Sequence, residues 1–182
     1  YYATSNRNSA DTVITDECLP GGSSGLELTG GGVRVGLWDG GRVRTTHTEF
    51  GGRAVQLDAA LVLSDHATHV GGTIAAAGLV SGARGMAPSA TLAGYDWNED
   101  LDEMGFEAQF GLRLSNHSYG FLAGWFFDPV SGDWYWYGDA TISPTEDYYF
   151  GFYDETARDW DDLARAQPGL LFVKAAGNDR NE

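Results

Sequence analysis

Along this chain, short apolar runs alternate with helix-periodic stretches, and that alternation limits the folds open to it. VRVGLW at 33–38 runs into Asp39-Gly40-Gly41, which reads as a strand ending in a carboxylate and a tight turn. A further short strand fits within 54–63. SDHATHVGGTIAAA at 64–77 carries Val70, Ile74, Ala75 and Ala77 at helical spacing, with Ser64 and Asp65 where a helix takes its N-cap. Its small residues, Gly71, Gly72, Ala75 and Ala76, allow close approach to other backbone. The loop at 81–89 leads to a strand at 90–95, ATLAGY. Leu101, Met104, Phe106 and Ala108 predict a helix over 99–110, against the preference of Gly105. LRLS at 112–115 is a strand that stops at Asn116-His117-Ser118-Tyr119-Gly120. Residues 154–166 form an amphipathic helix capped by Asp154, and LLFVKAA at 170–176 is a buried strand running into Gly177-Asn178.

This order predicts an α/β fold, a parallel sheet with helices on both faces. In such sheets reactive groups gather at the carboxyl ends of strands. Asp39, Ser118 and Asn178 all follow directly on a strand. Two segments stand outside the alternation. Residues 1–32 are polar and glycine-rich and read as an N-terminal arm. Residues 121–153 are crowded with aromatic side chains and read as an ordered insertion holding a hairpin, because disorder needs fewer aromatics.

The formal net charge of −15 argues against nucleic acid and anionic membrane surfaces as partners. No apolar run approaches membrane-spanning length. Acids are plentiful and Lys174 is the only lysine, a balance that fits a secreted or salt-tolerant protein. Cys18 is the only cysteine, so it is either free or paired outside the chain. Tyr1-Tyr2-Ala3 reads as a processed N-terminus, and the end after the last strand reads as abrupt.

Asp39 at a strand end and His66 at a helix start could meet at the carboxyl edge of the sheet. A carboxylate on one imidazole nitrogen fixes the tautomer and leaves the other nitrogen as a general base. The same two residues also fit a turn carboxylate and a helix-capping polar group.

Five segments extend the argument. VRVGLWDGGRVRTTHTEF resembles the aspartate segment of the subtilases, the subtilisin-like serine proteases. HATHVGGTIAA resembles their histidine segment, GARGMAPSATLAGYDW the loop and strand after it, LSNHSYG the substrate-binding segment, and FVKAAGN the strand ending in the oxyanion-hole asparagine. The five occur in the family's order and span residues 33 to 178, within a peptidase-domain portion at 33–182.

The resemblance implies Asp39 as triad acid, His66 as general base and Asn178 as oxyanion donor. Ser118, Tyr119 and Gly120 would pair with substrate backbone as an added strand. Gly120 with Ala175, Ala176 and Gly177 would border the pocket for the side chain before the scissile bond. His69 would be a buried structural neighbour and His117 would point inward. The chemistry requires no cofactor. Glu49 matches a position where some members place a calcium ligand, which leaves room for a structural calcium, although the loop at 77–83 lacks the usual asparagine.

Three departures accompany the likeness. Ala67 replaces the usual glycine after the histidine, Gly-Gly follows Asp39 where Ser-Gly or Thr-Gly is commoner, and the aromatic insertion has no counterpart in the smallest members. A fourth is an absence. Subtilases take their nucleophile from a Gly-Thr-Ser-Met-Ala segment after the asparagine, and no such string occurs in the 182 residues. The expected fold is therefore incomplete without a C-terminal portion. The expected function is secreted serine endopeptidase, inactive as this chain alone, with a serine-bearing C-terminal fragment or chain as partner and a protein or peptide as substrate. A non-catalytic peptide-binding module on the same scaffold is the alternative. A metallohydrolase using His66, His69 and Asp39 is disfavoured by the missing His-Glu-X-X-His glutamate.

Overall fold

The structure, a computed structural model, describes residues 6–128 and 130–178. The readings of Tyr1-Tyr2-Ala3 and of residues 179–182 lie outside the described residues. The chain divides into two compact units, Tyr1–Ser118 with Gln167–Lys174, and Tyr119–Ala166 with Ala175–Glu182.

In the first unit, α1 (Asn6–Thr12) and a short 3-10 turn at Asp16–Cys18 open the chain. The arm is thus partly helical, which its sequence concealed because only Ala10 of α1 is buried and no apolar stripe repeats. Cys18 is half-buried, and its thiol faces the Ile14 carbonyl at 3.9 Å. Then follow β1 (Arg34–Asp39), β2 (Ala54–Gln56), α2 (Asp65–Ala75), β3 (Thr91–Asp96), α3 (Asp100–Gln109) and β4 (Leu114–His117). In the second unit, β5 (Trp125–Asp128) and β6 (Asp133–Trp136) precede α4 (Glu155–Ala166). The strand that completes the first unit's sheet is β7 (Leu171–Lys174).

Among the described residues the sheet is five-stranded, in the order β2-β3-β1-β4-β7, and every pairing in it is parallel. β1 therefore lies at the centre, flanked by β3 and β4. Alternate residues of a strand face opposite sides. On β1, Val35 and Leu37 join Leu92, Phe50 and the Ala67 and Ala75 of α2 in the main core. The intervening residues face α3, where Arg34 pairs with Glu107 and the Trp38 indole donates to Glu103. Helices thus cover both faces of the sheet, as the alternation predicted. α2 approaches closely because its buried stripe is small. A methyl added at Gly71 would stand 3.1 Å from Leu92 and 3.3 Å from Phe50. β4 begins at Leu114 rather than 112, since its register is set by Val35 opposite Leu114, while Leu112 is buried just below the strand.

In the second unit, β5 and β6 form an antiparallel hairpin within the aromatic segment. Trp125 packs across the hairpin on Trp136, and Phe127 on Trp134, each pair of rings tilted with centroids 5.2 Å apart. Such cross-strand aromatic pairs stabilise a two-stranded ribbon. The buried Asp147 accepts from the Gly124 and Tyr149 amides at 2.8 and 3.0 Å and ties the loop back to the hairpin. α4 is capped as its sequence predicted, Asp154 accepting from the Ala157 amide at 2.8 Å. Among the described residues, no helix is long and apolar enough to cross a membrane.

Candidate active site

Asp39 is the last residue of β1 and is 2% exposed. Its Oδ1 accepts from the Gly40 amide at 2.8 Å, and both carboxylate oxygens lie 2.8 Å from His66 Nδ1. A carboxylate only accepts, so Nδ1 carries the ring proton and Nε2 is left with a free lone pair. The His66 side chain is 60% exposed, which leaves that second nitrogen open to solvent.

The dyad is held by the chain segments that adjoin Asp39 and His66. Ser64 caps α2, accepting from the Ala67 amide at 3.0 Å, as predicted from its place before the helical stretch. The Ser64 amide donates to the Arg42 carbonyl at 2.9 Å, and the Arg42 amide to the Val62 carbonyl at 2.8 Å. The Arg44 amide donates to Thr68 Oγ1 at 2.9 Å. The segment after Asp39 is thus laced to the first turn of α2. The Gly-Gly departure has a steric cause. A methyl at Gly40 would meet the Trp97 ring at 2.9 Å, and one at Gly41, where φ is +146°, would meet the Val62 carbonyl oxygen at 2.8 Å. Ala67 is fully buried, its methyl part of the core.

His69 does not occupy the buried place expected of it. The buried stripe of α2 runs Ala67, Gly71, Ala75, and His69 falls on the other side of the helix, exposed. His117 is fully buried, as expected, and its ring stacks on Trp38. Burial, and then the Lys174 ammonium, push its pKa down to about 3, so it is neutral at physiological pH.

Glu49 is buried and spends its carboxylate within the protein. Oε2 accepts from the Gly78 and Leu79 amides at 2.7 and 3.0 Å, and Oε1 from the Val80 amide at 2.8 Å. Burial pushes its pKa up. The three amides, with nearby His47, outweigh that and hold it below the ordinary value. Three converging N–H dipoles suit an anion, so Glu49 does not fit as a calcium ligand here. Among the described residues, no group of three His, Cys, Asp or Glu side chains could hold a metal ion.

Ser118 follows β4, and its Oγ accepts from Asn116 Nδ2 at 3.0 Å. Tyr119, Gly120, Ala175, Ala176, Gly177 and Asn178 belong to the second unit. There Gly120 is open, with nothing within 4 Å of a methyl placed on it. Gly177 turns the chain at φ +103° just before Asn178, and both are exposed. The structure therefore brings Asp39 and His66 together, and describes the other expected site residues each within its own unit.

Trp38 and Glu103 escaped the sequence reading. In the sequence Trp38 is only the last apolar residue of the VRVGLW strand, and nothing local marks Glu103 as the acceptor of its indole proton. Burial raises the Glu103 pKa to about 7, the Trp38 bond opposes this, and Asp58, Asp96 and Asp100 add to it.

A carboxylate–imidazole pair thus stands at the carboxyl end of the central strand of a parallel sheet. The model of the Subtilase family matches residues 52–182, and the chain belongs to that family of serine proteases. The match includes His66, Ser118 and Asn178 and begins after Asp39, which is joined to the site by its bonds to His66. No curated protein matches the chain.

Proposed function

We propose that this chain supplies the acid, the base and the oxyanion donor of a secreted serine endopeptidase. The observation that carries the reading is the Asp39–His66 pair, with Nδ1 2.8 Å from both carboxylate oxygens and the far side of the imidazole exposed. His66 Nε2 takes the proton from a serine hydroxyl as it attacks the peptide carbonyl, then gives it to the leaving amine. Asp39 holds the tautomer and stabilises the imidazolium. Asn178 donates its side-chain amide to the oxyanion. Ser118, Tyr119 and Gly120 pair with the substrate backbone, and Ala175, Ala176 and Gly177 border the pocket for the residue before the cleaved bond. The 182 residues contain no Gly-Thr-Ser-Met string, so the nucleophile belongs to a serine-bearing C-terminal portion or chain, and these residues alone are inactive. The chemistry calls for no metal. Acidic composition and scarcity of lysine support secretion, with a protein or peptide as substrate and neither nucleic acid nor membrane as partner.

A fluorophosphonate probe on the intact gene product tests this. Labelling of one serine is expected, and Asp39→Asn lowers kcat on peptide substrates roughly 10⁴-fold because the imidazole loses its proper tautomer. Labelling at an unchanged rate in His66→Ala refutes the assignment. The exposed rings of the β5–β6 hairpin favour a second reading, a non-catalytic peptide-binding module, which a complete lack of labelling selects.

A further inference from the structure

β1 presents two side chains at its end, and only one faces His66. The other, Trp38, lies on the α3 side and is fully buried. Register sets it opposite Tyr95 of β3 and His117 of β4. The three rings form one stack across the three central strands. Trp38 and Tyr95 have centroids 4.6 Å apart at 6°, and Trp38 and His117 5.3 Å apart at 17°. Gly36 provides the floor, since a methyl there would stand 2.4 Å from the indole. Packing therefore sets the plane of the indole, while its one polar atom, Nε1, donates to Glu103 Oε2 at 2.9 Å. That bond ties α3 to the residue immediately before Asp39.

We propose that Glu103 is a positioning residue for the dyad, acting through the Trp38 indole to set the end of β1 and hence the angle at which Asp39 meets His66. The inference rests on the reading of that pair as catalytic.

The carboxyl group of Glu103 also has an unusual setting. It lines a cleft of about 500 Å³ with Leu57, Tyr95, Asp102, Phe106 and Glu107, so protons reach it from solvent. Asp58 after β2, Asp96 on β3 and Asp100 on α3 act on it electrostatically, while Glu107 is already paired with Arg34 of β1. Burial first, and then Asp58, Asp96 and Asp100, raise its pKa to about 7 against the pull of the Trp38 bond. As pH rises through that value the indole bond becomes charge-assisted and shortens. The dyad thereby senses a carboxyl on the opposite face of the sheet.

The test is a pH titration by nuclear magnetic resonance of the Trp38 indole N–H and the His66 Nδ1–H, assigned by Trp38→Phe and His66→Gln. In the wild type both signals are expected to show a step with a shared midpoint near 7. Glu103→Gln keeps a neutral acceptor and removes that step from both. Trp38→Phe keeps the carboxyl and removes the step from His66. Persistence of the step in Glu103→Gln refutes the proposal, and its persistence in Trp38→Phe refutes the route through the indole. Should Glu103→Gln fail to fold, Glu103→Asp carries the same test, because its shorter side chain breaks the bond and uncouples the two signals. In the serine-bearing gene product, Glu103→Gln lowers kcat roughly tenfold with KM unchanged. The magnetic resonance readout needs no hydrolysis, so its failure is distinct from failure of the peptidase reading.

Discussion

Replacing Glu49 with glutamine isolates one carboxylate that three backbone amides share. The native oxygens accept from Gly78 and Leu79 on one side and from Val80 on the other. A glutamine carbonyl retains the first two as neutral bonds, and its NH2 then faces the Val80 N–H, donor against donor. Charged hydrogen bonds contribute about 1.5–3 kcal/mol net and neutral ones about 0.5–1.5, so two weakened bonds and one lost bond sum to roughly 4 kcal/mol. Leu79 and Val80 are exposed, and water relieves part of the loss, which brings the expected cost to about 2–4 kcal/mol. The assay is hydrogen exchange at the amides of 78–80, where that range corresponds to roughly 30- to 700-fold faster exchange if opening of the loop is local. The Glu49 pKa lies below its ordinary 4.5 in the folded state, so its stabilisation is present above the unfolded value and lost as pH falls through the folded one. Wild-type protection should therefore decline in acid, and the variant should show little such decline. Unchanged protection at 78–80 in Glu49→Gln would refute the argument, as would strong protection that disappears with a calcium chelator.

Gly40→Ala pushes a methyl against the Trp97 ring, 2.9 Å away, and should cost about 1–3 kcal/mol by overpacking. Denaturant midpoints and tryptophan emission check this, and no change in either counts against the packing argument. Acid should destabilise the first unit through His117, whose pKa falls from 6.5 to about 3 on folding. Its contribution is complete above the unfolded value and is lost as pH falls from about 6.5 towards 3. His117→Asn should flatten that part of the stability profile in urea titrations, and an unaltered slope would show the titrating group to be another.

Features written in neighbouring residues were legible. Ser64 and Asp154 stand at helix starts and cap them, and the run before Asp39 pairs as a central strand. Small residues in α2 become the stripe that meets Leu92 and Phe50. What failed depended on rotation or on distance. His69 was expected inside because the family resemblance makes that position structural, but the small-residue stripe sets which side of α2 is buried. Glu49 was matched to a calcium ligand, but its partners are amides some thirty residues on, and residue types do not reveal where a loop's N–H groups point. Trp38 and Glu103 meet only because α3 crosses that face of the sheet. The aromatic segment announced order through composition, while its hairpin register came from pairing across a turn.

The central position of β1 also governs when the protein can fold. Arg34 waits for Thr91, and Val35 for Leu114, so neither edge of the middle strand finds its partner early in synthesis. Loops of that length must close before pairing rewards them, which makes formation of the sheet slow. Until β3 and β4 emerge, an apolar strand carrying Leu37 and Trp38 has two unpaired edges exposed to other chains. Aggregation during synthesis should therefore be most pronounced while the chain is between its first strand and its fourth.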